Sequence, residues 1–304
     1  MPNVWTHIIF AEDLCKKLGR KDLLETSAPL LNYGAQGPDP FFYHHFWPLA
    51  KDQHVSEAGM KLHTEQCGPF LLNMIRKGRT MENQVQAFIL GFVSHHLLDR
   101  NTHPYIHYRA GYEKNKHQLL EVNIDTLMLK KQRGLDSWKS PAFKKFSLQL
   151  KRKPIAHLLE SLIDEYYPGL SSSLPRHYLL QSYRDMKQAQ TILFDPWGWK
   201  NKVLGTMVSS FSHQPISNDK DYLNEQKTFW RHPATNEAIQ LSFLELYERA
   251  FSEAAELFSM ILDYWKRGES PLLHNIEEKL GNISYDTGLP LSLNYTNVYS
   301  DPIV

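Results

Sequence analysis

The sequence predicts an all-α fold, a single multi-helical domain that spans residues 1–304. Apolar side chains recur at helical spacings of three and four, and the segments that carry them end at glycine or proline. No convincing segment alternates apolar and polar residues as a half-buried strand does. Neither an internal repeat nor a linker divides the chain, so one domain is the simplest interpretation.

Helix period and punctuation place the main elements along the chain. The predicted helices run from about Asn3 to Leu18, Ser56 to Gly78, Thr80 (as N-cap) to His103, Glu113 to Arg133, and Asn236 to Arg267 after Thr235 as cap. Pro104 is expected to end the third of these because proline has no N–H to donate. Residues 137–215 are expected to form shorter helices between prolines, and residues 32–48 and 281–304 to be irregular.

The helix predicted to end at Arg267 carries a broad apolar face over its whole length. We expect this face to pack over the amino-terminal helices, so that the carboxy-terminal half covers the first 130 residues. A helix that joins two copies of the chain is the alternative, and the sequence leaves the oligomeric state open.

Composition limits the class of protein. The net charge is +1 and like charges form no run, which gives no support for a nucleic-acid partner. The two cysteines cannot make a disulfide framework, and the amino-terminal residues do not read as a signal peptide. No apolar run is long enough to form a transmembrane segment. These features together predict a cytoplasmic protein.

Histidine is unusually concentrated, because ten of the 15 histidines fall within the first 117 residues. His7, His63, His95 and His117 each lie on the apolar face of a different predicted helix. One buried histidine is most often a hydrogen-bonded core residue. Several that face one interior would repel each other when charged, and would need separate acceptors when neutral. A metal cluster solves both problems, because neutral imidazole and carboxylate are good zinc ligands.

The spacing of these residues supports a metal site. His95 and Asp99 are four residues apart on one helical face, as are His117 and Glu121, and the two pairs bracket His103. Each pair can bind one ion without backbone strain. The sequence therefore predicts a multinuclear metal site.

The alternative for these pairs is simple salt bridging along each helix. It would leave Asp39, His7 and His63 unexplained, and we therefore consider it the weaker interpretation.

Five segments in order, THIIFAED, GAQGPDPFF, AGMKLHTE, GFVSHHLLDRNTHPY and HQLLEVNID, resemble the zinc-dependent phospholipase C family. The resemblance covers roughly residues 1–130 and depends on the order and spacing of motifs. It implies an all-helical fold, shared with S1/P1 nucleases, with zinc ions at the bottom of a cleft. For this chain it implies two or three zinc ions.

The resemblance also implies a set of ligands. Asp39, His63, His95 and Asp99 would hold one zinc ion, His103, His117 and Glu121 a second, and His7 would join a third with Asp99 as the bridge. The chain departs from the family in two places. It has two residues fewer after Asp99, which makes His107 an alternative to His103, and it begins with Met1-Pro2, where the family completes its third site with an N-terminal tryptophan.

The function implied is hydrolysis of a phosphodiester by metal-activated water, with Asp39 as both ligand and catalytic base. The expected substrate is a small-molecule or lipid-headgroup phosphoester. An S1/P1-type nuclease or another phosphoesterase is the alternative, as is a non-catalytic protein with structural zinc. The HD class of phosphohydrolases is disfavoured because the chain contains no adjacent His-Asp doublet.

Two further expectations concern the surroundings of the metal. The aromatic residues at 41–43, 46 and 47 could contact a quaternary ammonium, a lipid headgroup or a base, or could simply pack as core beneath the loop. A metal-bound histidine needs an acceptor for its other ring nitrogen, and Asp125, Glu65 and Asp13 are candidates.

Overall fold

The computed structural model describes residues 4–46, 53–147 and 152–304, and most of its regular structure is helical. The helices are α1 (Val4–Lys17), α2 (Lys21–Gly34), α3 (Gln53–Thr64), α4 (Cys67–Gly78), α5 (Asn83–Ala110), α6 (Lys116–Arg133), α7 (Arg152–Tyr166), α8 (Pro168–Ser171), α9 (Tyr178–Leu193), α10 (Trp199–Leu204), α11 (Thr206–Ser209), α12 (Phe243–Arg267) and α13 (Ser270–Leu280). Short 3-10 turns lie at Asp39–Tyr43, Ser137–Lys139, Ala142–Lys144 and Leu291–Leu293. The predicted all-α fold is confirmed.

Helix α5 is the central element of the fold. It is 28 residues long and is buried on nearly all sides, because α1, α2, α4, α6 and α12 pack around it. A helix that is apolar around most of its circumference can only be accommodated in this way. None of the helices in the described part of the chain combines the length and hydropathy needed to cross a bilayer.

The backbones of α2 and α5 approach each other closely at two glycines. A Cβ atom on Gly34 would overlap the carbonyl of Phe88, and one on Gly91 would lie 2.6 Å from the amide nitrogen of Ala35. Only glycine permits this approach, because both obstacles are backbone atoms that cannot turn aside. The sequence analysis did not single out α2, whose last turn instead fell inside the segment expected to be irregular.

Two of the predicted helix boundaries are wrong for reasons of tertiary contact. The segment expected to run from Ser56 to Gly78 is two helices, α3 and α4, separated at Gln66, whose φ of 50° is left-handed. Just beyond the break, the backbone N–H of Gly68 donates to the Asn282 side chain at 3.0 Å. The carboxy-terminal segment therefore fixes where α4 begins.

Helix α5 does not end at His103 but continues through Pro104 to Ala110. A proline inside a helix costs about 3 kcal/mol, since it removes one hydrogen bond and crowds the carbonyl four residues earlier. The turn that follows Pro104 is held by complete burial of Tyr105 and Ile106, and the Tyr105 hydroxyl donates to the carbonyl of Tyr222 at 2.9 Å. Packing thus outweighs the local preference.

The long carboxy-terminal helix begins later than predicted. Part of its expected first turns forms β2 (Ala238–Ile239), which pairs with β1 (Trp230–Arg231) in a small antiparallel hairpin. Helix α12 starts at Phe243 instead, where Ser242 and Glu245 form a reciprocal capping box. Its apolar face lies against α5 and α1, with the Tyr247 ring 5.3 Å from that of Phe10.

We expect Gly91→Ala to lower the free energy of unfolding by about 3 kcal/mol, because the new methyl group overlaps backbone atoms of α2. Gly169→Ala is the matched control, since a Cβ there meets no atom within 4 Å and the substitution should be neutral or slightly stabilising. Urea denaturation of both variants provides the measurement. Equal effects of the two would show that α2 and α5 can separate at little cost.

The capping box predicts a pH-dependent contribution to stability. Hydrogen bonds from Lys227 and from Ser242 lower the pKa of Glu245 from its ordinary 4.5 to about 2. The folded chain therefore favours the ionised form, so the stabilisation is complete above pH 4.5 and disappears as the pH falls toward 2. Glu245→Gln should lower the unfolding free energy at pH 7 and leave it unchanged at pH 2, whereas the exposed Glu248→Gln should have no effect at either pH.

Candidate metal centre

The structure brings all of the predicted metal-ligand residues to one buried place. They come from four helices and one 3-10 turn: His7 on α1, Asp39 in the turn after α2, His63 on α3, His95, Asp99 and His103 on α5, and His117 and Glu121 on α6. Their donor atoms form overlapping groups in which each atom lies within 4.8 Å of the others. Residues 110 positions apart in sequence thus share one cluster.

The carboxylate of Asp99 occupies the middle of the cluster and is only 1% exposed. Its Oδ2 atom lies 2.9 Å from Nε2 of His95, and its Oδ1 atom lies 3.2 Å from Nε2 of His7. Nε2 of His103 is 3.4 Å from the same Oδ1. Both carboxylate oxygens of Asp99 therefore face imidazole nitrogens, Oδ2 that of His95 and Oδ1 those of His7 and His103.

Electrostatics within the cluster follow from this packing. Burial by itself would raise the pKa of Asp99, but the charges of His103 and His95 hold it well below its usual range. Burial would likewise lower the pKa of His103, yet Asp99 raises it well above its usual range. Without a cation, protons on imidazole thus balance the buried carboxylates. A metal ion would displace those protons, so its affinity should decrease with acidity.

Asp39 reaches the cluster from the turn that follows α2. Its Oδ1 atom lies 3.3 Å from Nε2 of His63 and 3.7 Å from Nε2 of His95. The turn fits tightly over α5, because Gly37 has a φ of +51° and a Cβ there would overlap the His95 ring. The close crossing of α2 and α5 therefore also determines the position of Asp39.

Helix α6 contributes the opposite side of the cluster. Nε2 of His117 lies 3.1 Å from Oε1 of Glu121, one turn away on the same face. Nε2 of His103 lies 3.5 Å from the same oxygen. His103 on α5 and the pair on α6 consequently form one group of three donors.

Backbone carbonyls orient two of the imidazoles. Nδ1 of His63 donates to the carbonyl of Gly59 at 2.7 Å, and Nδ1 of His95 donates to that of Ala35 at 3.0 Å. Because a carbonyl can only accept, Nδ1 of each ring carries a hydrogen, and in the neutral ring the lone pair is on Nε2, the atom that faces the carboxylates. These carbonyls, and none of the predicted carboxylates, are the acceptors for these two rings.

The predicted acceptor Asp125 has a different role. Its carboxylate accepts the backbone N–H groups of Trp5 at 2.9 Å and Thr6 at 2.6 Å, at the start of α1. It also lies 2.9 Å from Nε2 of His213. A carboxylate at a helix amino terminus satisfies unpaired donors and complements the helix dipole. Asp125 therefore positions α1, on which His7 lies.

The cluster fits a metal better than salt bridges alone. The predicted His95–Asp99 and His117–Glu121 contacts are both present, so those pairs do not discriminate. Within the described residues, however, two buried atoms at the centre of the cluster, Nε2 of His95 and Oδ1 of Asp99, make no hydrogen bond of normal geometry despite their short contacts. Such orphans are costly. Atoms on one tetrahedral zinc lie about 3.3 Å apart, which agrees with the separations above.

A cleft of about 300 Å³ opens over the cluster, with His7, Asp39 and His63 among its lining residues. The aromatic run beside Asp39 is mostly core, since Phe41 and Tyr43 are buried. Phe42 does line the cleft, with its ring 5.5 Å from that of His63. Trp47 lies outside the described residues.

The sequence analysis missed a contribution from the carboxy-terminal end. Tyr285 is fully buried with its ring 4.9 Å from that of His63 and 4.4 Å from that of His96. Asp286 lines the cleft and forms a further donor group with His103 and His107. In residues 284–290, SYDTGLP, the aspartate and the glycine are typical of a turn. Nothing in the sequence places this turn near the histidines.

We expect Gly37→Ala to weaken zinc binding by about 10–100-fold, because the new methyl group displaces the His95 ring. Gly134→Ala is the matched control, since Gly134 has a similar φ of +68° but a Cβ there meets no atom within 4 Å. Both variants carry the same backbone strain, so the difference in zinc affinity, measured by competition with a chelator, isolates the contact with His95. Equal affinities would show that this ring does not contribute to binding.

Comparison with known proteins gives one match. The sequence profile of the family described as zinc dependent phospholipase C matches residues 6–176, further along the chain than the motifs alone suggested. No curated protein and no solved structure matches the chain. The matched range includes most of α1, all of α2–α8 and every predicted ligand residue. The chain therefore belongs to the zinc-dependent phospholipase C family.

Proposed function

We propose that this protein is a zinc-dependent phosphodiester hydrolase of the phospholipase C type. The observation that carries the proposal is a buried cluster of imidazole and carboxylate groups that opens onto a cleft. Structural zinc sites are closed, whereas catalytic sites keep a position for water or substrate. Access from the cleft therefore favours catalysis over the alternative of a zinc ion that only stabilises the fold.

The residues assigned to two or three zinc ions follow the donor groups of the structure. Asp39, His63, His95 and Asp99 would hold the first, His103, His117 and Glu121 the second, and His7 with Asp99 would contribute to a third. His103 is preferred to His107 as a ligand because its Nε2 atom faces Glu121 at 3.5 Å. Nε2 of His107 instead lies 3.7 Å from Oδ1 of Asp286.

When bound, zinc supplies an acidified water and positive charge for the phosphoryl oxygens. The task of the chain is to position the substrate and to accept a proton. Asp39 suits the second role, because its carboxylate lines the cleft while being 8% exposed. Burial would raise its pKa, but His95 and His63 lower it below the ordinary value, so Asp39 is ionised at neutral pH. An ionised carboxylate there can take the proton of an attacking water.

The cleft is suited to bind an anionic substrate only when metal ions are bound in it. Among the described residues that line it, none is lysine or arginine. These lining residues therefore offer no lysine or arginine charge to the phosphate, and bound ions would balance it. The apolar side chains of Phe42 and Met60 and the ring of Tyr112 lie along the same cleft. This mixture is suited to a phosphodiester with an apolar or headgroup substituent.

We expect the zinc-loaded protein to hydrolyse a phosphodiester, to lose the activity on chelation and to regain it with zinc. Asp39→Asn should lower kcat by about 10²–10⁴-fold, since the proton acceptor is lost. His157→Ala, which removes an exposed histidine on α7, should leave kcat unchanged. The assay compares short-chain phosphatidylcholine with single-stranded DNA under the same conditions.

The substrates separate the alternatives. Cleavage of phosphatidylcholine in preference to DNA supports the phospholipase C assignment, and the reverse preference would assign a nuclease. A protein that binds zinc at full stoichiometry but cleaves neither these substrates nor bis(p-nitrophenyl) phosphate would contradict the hydrolase proposal and favour structural zinc.

A further inference from the structure

A turn from the carboxy-terminal part of the chain reaches the metal cluster. Residues 282–290 lie more than 100 positions beyond the end of the family match at residue 176. The turn places one carboxylate, that of Asp286, in the wall of the cleft. No feature of the family match accounts for this residue.

Backbone contacts hold the turn in a defined place. The N–H of Tyr285 donates to the carbonyl of His63 at 3.1 Å, and Nε2 of His96 lies 2.9 Å from the carbonyl of Ile283. Within the turn, Oγ of Ser284 accepts the N–H of Asp286 at 3.1 Å. The turn is therefore attached to both α3 and α5, the helices that carry His63 and His95.

Gly288 brings the turn against α5 at the position of Pro104. It has a φ of +64°, and a Cβ there would overlap the carbonyl of Arg100, the group that Pro104 leaves without its helical donor. The turn that carries Asp286 thus packs on α5 at the place where Pro104 interrupts the helical hydrogen bonds.

Asp286 faces two imidazole nitrogens that have no other partner. Its Oδ1 atom lies 3.6 Å from Nδ1 of His103 and 3.7 Å from Nε2 of His107. Within the described residues both nitrogens are buried and accept or donate no hydrogen bond. The side chain of His103 is 9% exposed, so water does not readily replace the missing partner.

The chemistry of imidazole determines what Asp286 can do for His103. A neutral ring has one lone pair and one N–H, so only one nitrogen can bind a metal. Nε2 of His103 faces Asp99 and Glu121, at 3.4 and 3.5 Å. When a metal ion binds between these groups, the lone pair that binds it is on Nε2, and the N–H is on Nδ1, directed at Asp286.

We propose that Asp286 is a positioning residue of the metal centre, whose carboxylate accepts the Nδ1–H of His103 and orients its Nε2 lone pair toward the cation. This inference rests on the proposed function, because it assigns His103 as a zinc ligand. Metal-bound histidines commonly donate to such a carboxylate, and loss of the acceptor lowers metal affinity by about 10–100-fold. The family-matched part of the chain would then depend on its carboxy-terminal end for full zinc affinity.

The test measures zinc affinity by competition with a chelator and zinc stoichiometry by elemental analysis, in the full-length protein. Asp286→Ala should keep the wild-type stoichiometry at saturating zinc but bind its weakest ion about 10–100-fold less tightly. Asp286→Asn should lose less affinity, because its amide oxygen still accepts a hydrogen bond. Asp219→Ala, which removes an exposed carboxylate, is the matched control and should bind zinc as the wild type does.

A spectroscopic measurement separates orientation of the ring from a general effect on folding. In the zinc-loaded wild type, the His103 Nδ1–H proton should be protected from exchange and visible by NMR, and Asp286→Ala should abolish that resonance. A merely structural role of the turn would leave the resonance in place.

Three results would overturn the proposal. Unchanged affinity in Asp286→Ala would show that the carboxylate does not act on His103. Loss of a whole zinc equivalent in both Asp286→Ala and His107→Phe would make Asp286 a direct ligand. A wild type that binds no zinc would remove the metal centre itself, and with it the proposed function, which distinguishes that failure from the first two.

Discussion

The structure depends on the burial of one carboxylate, that of Asp99, among three imidazoles. An isolated buried charge costs several kcal/mol, so the surrounding helices must supply groups of opposite charge or a cation at short range. His95 comes from the same helix, His7 from α1 and His103 from one turn further along α5. Helices α1 and α5 are thereby required to converge at this point, below the cleft that opens over the cluster.

Glycine at the crossing of α2 and α5 makes the rest of the centre possible. Because the helices approach at Gly34 and Gly91, the turn after α2 passes directly over His95 and delivers Asp39. The Ala35 carbonyl in the same turn accepts the Nδ1–H of His95, so in the neutral ring the lone pair of His95 is on Nε2. The packing of α2 against α5 thus decides which ring nitrogen of His95 carries its hydrogen, and neither helix would determine this alone.

Sequence patterns predicted the elements whose boundaries are local. Helices α1 and α6 lie close to the expected positions because glycine ends each pattern. Two of the errors fall where distant residues intervene. Pro104 did not end α5, because the helix around it is buried against the segments that contain Tyr222 and Gly288. The start of α12 differs from the prediction for a local reason: Ser242 and Glu245, three residues apart, form a capping box, a pattern that is readable from sequence.

The sequence by itself determined the kind of chemistry. Residues four apart on a helix share a face whatever the tertiary fold, so the His95–Asp99 and His117–Glu121 spacings already indicated paired donors. Tertiary structure decided which groups complete the centre. Asp39 meets His95 only through a helix crossing, and Asp286 meets His103 only because a turn more than 180 residues later folds over α5. Such contacts depend on how separate elements pack, and no local spacing encodes that.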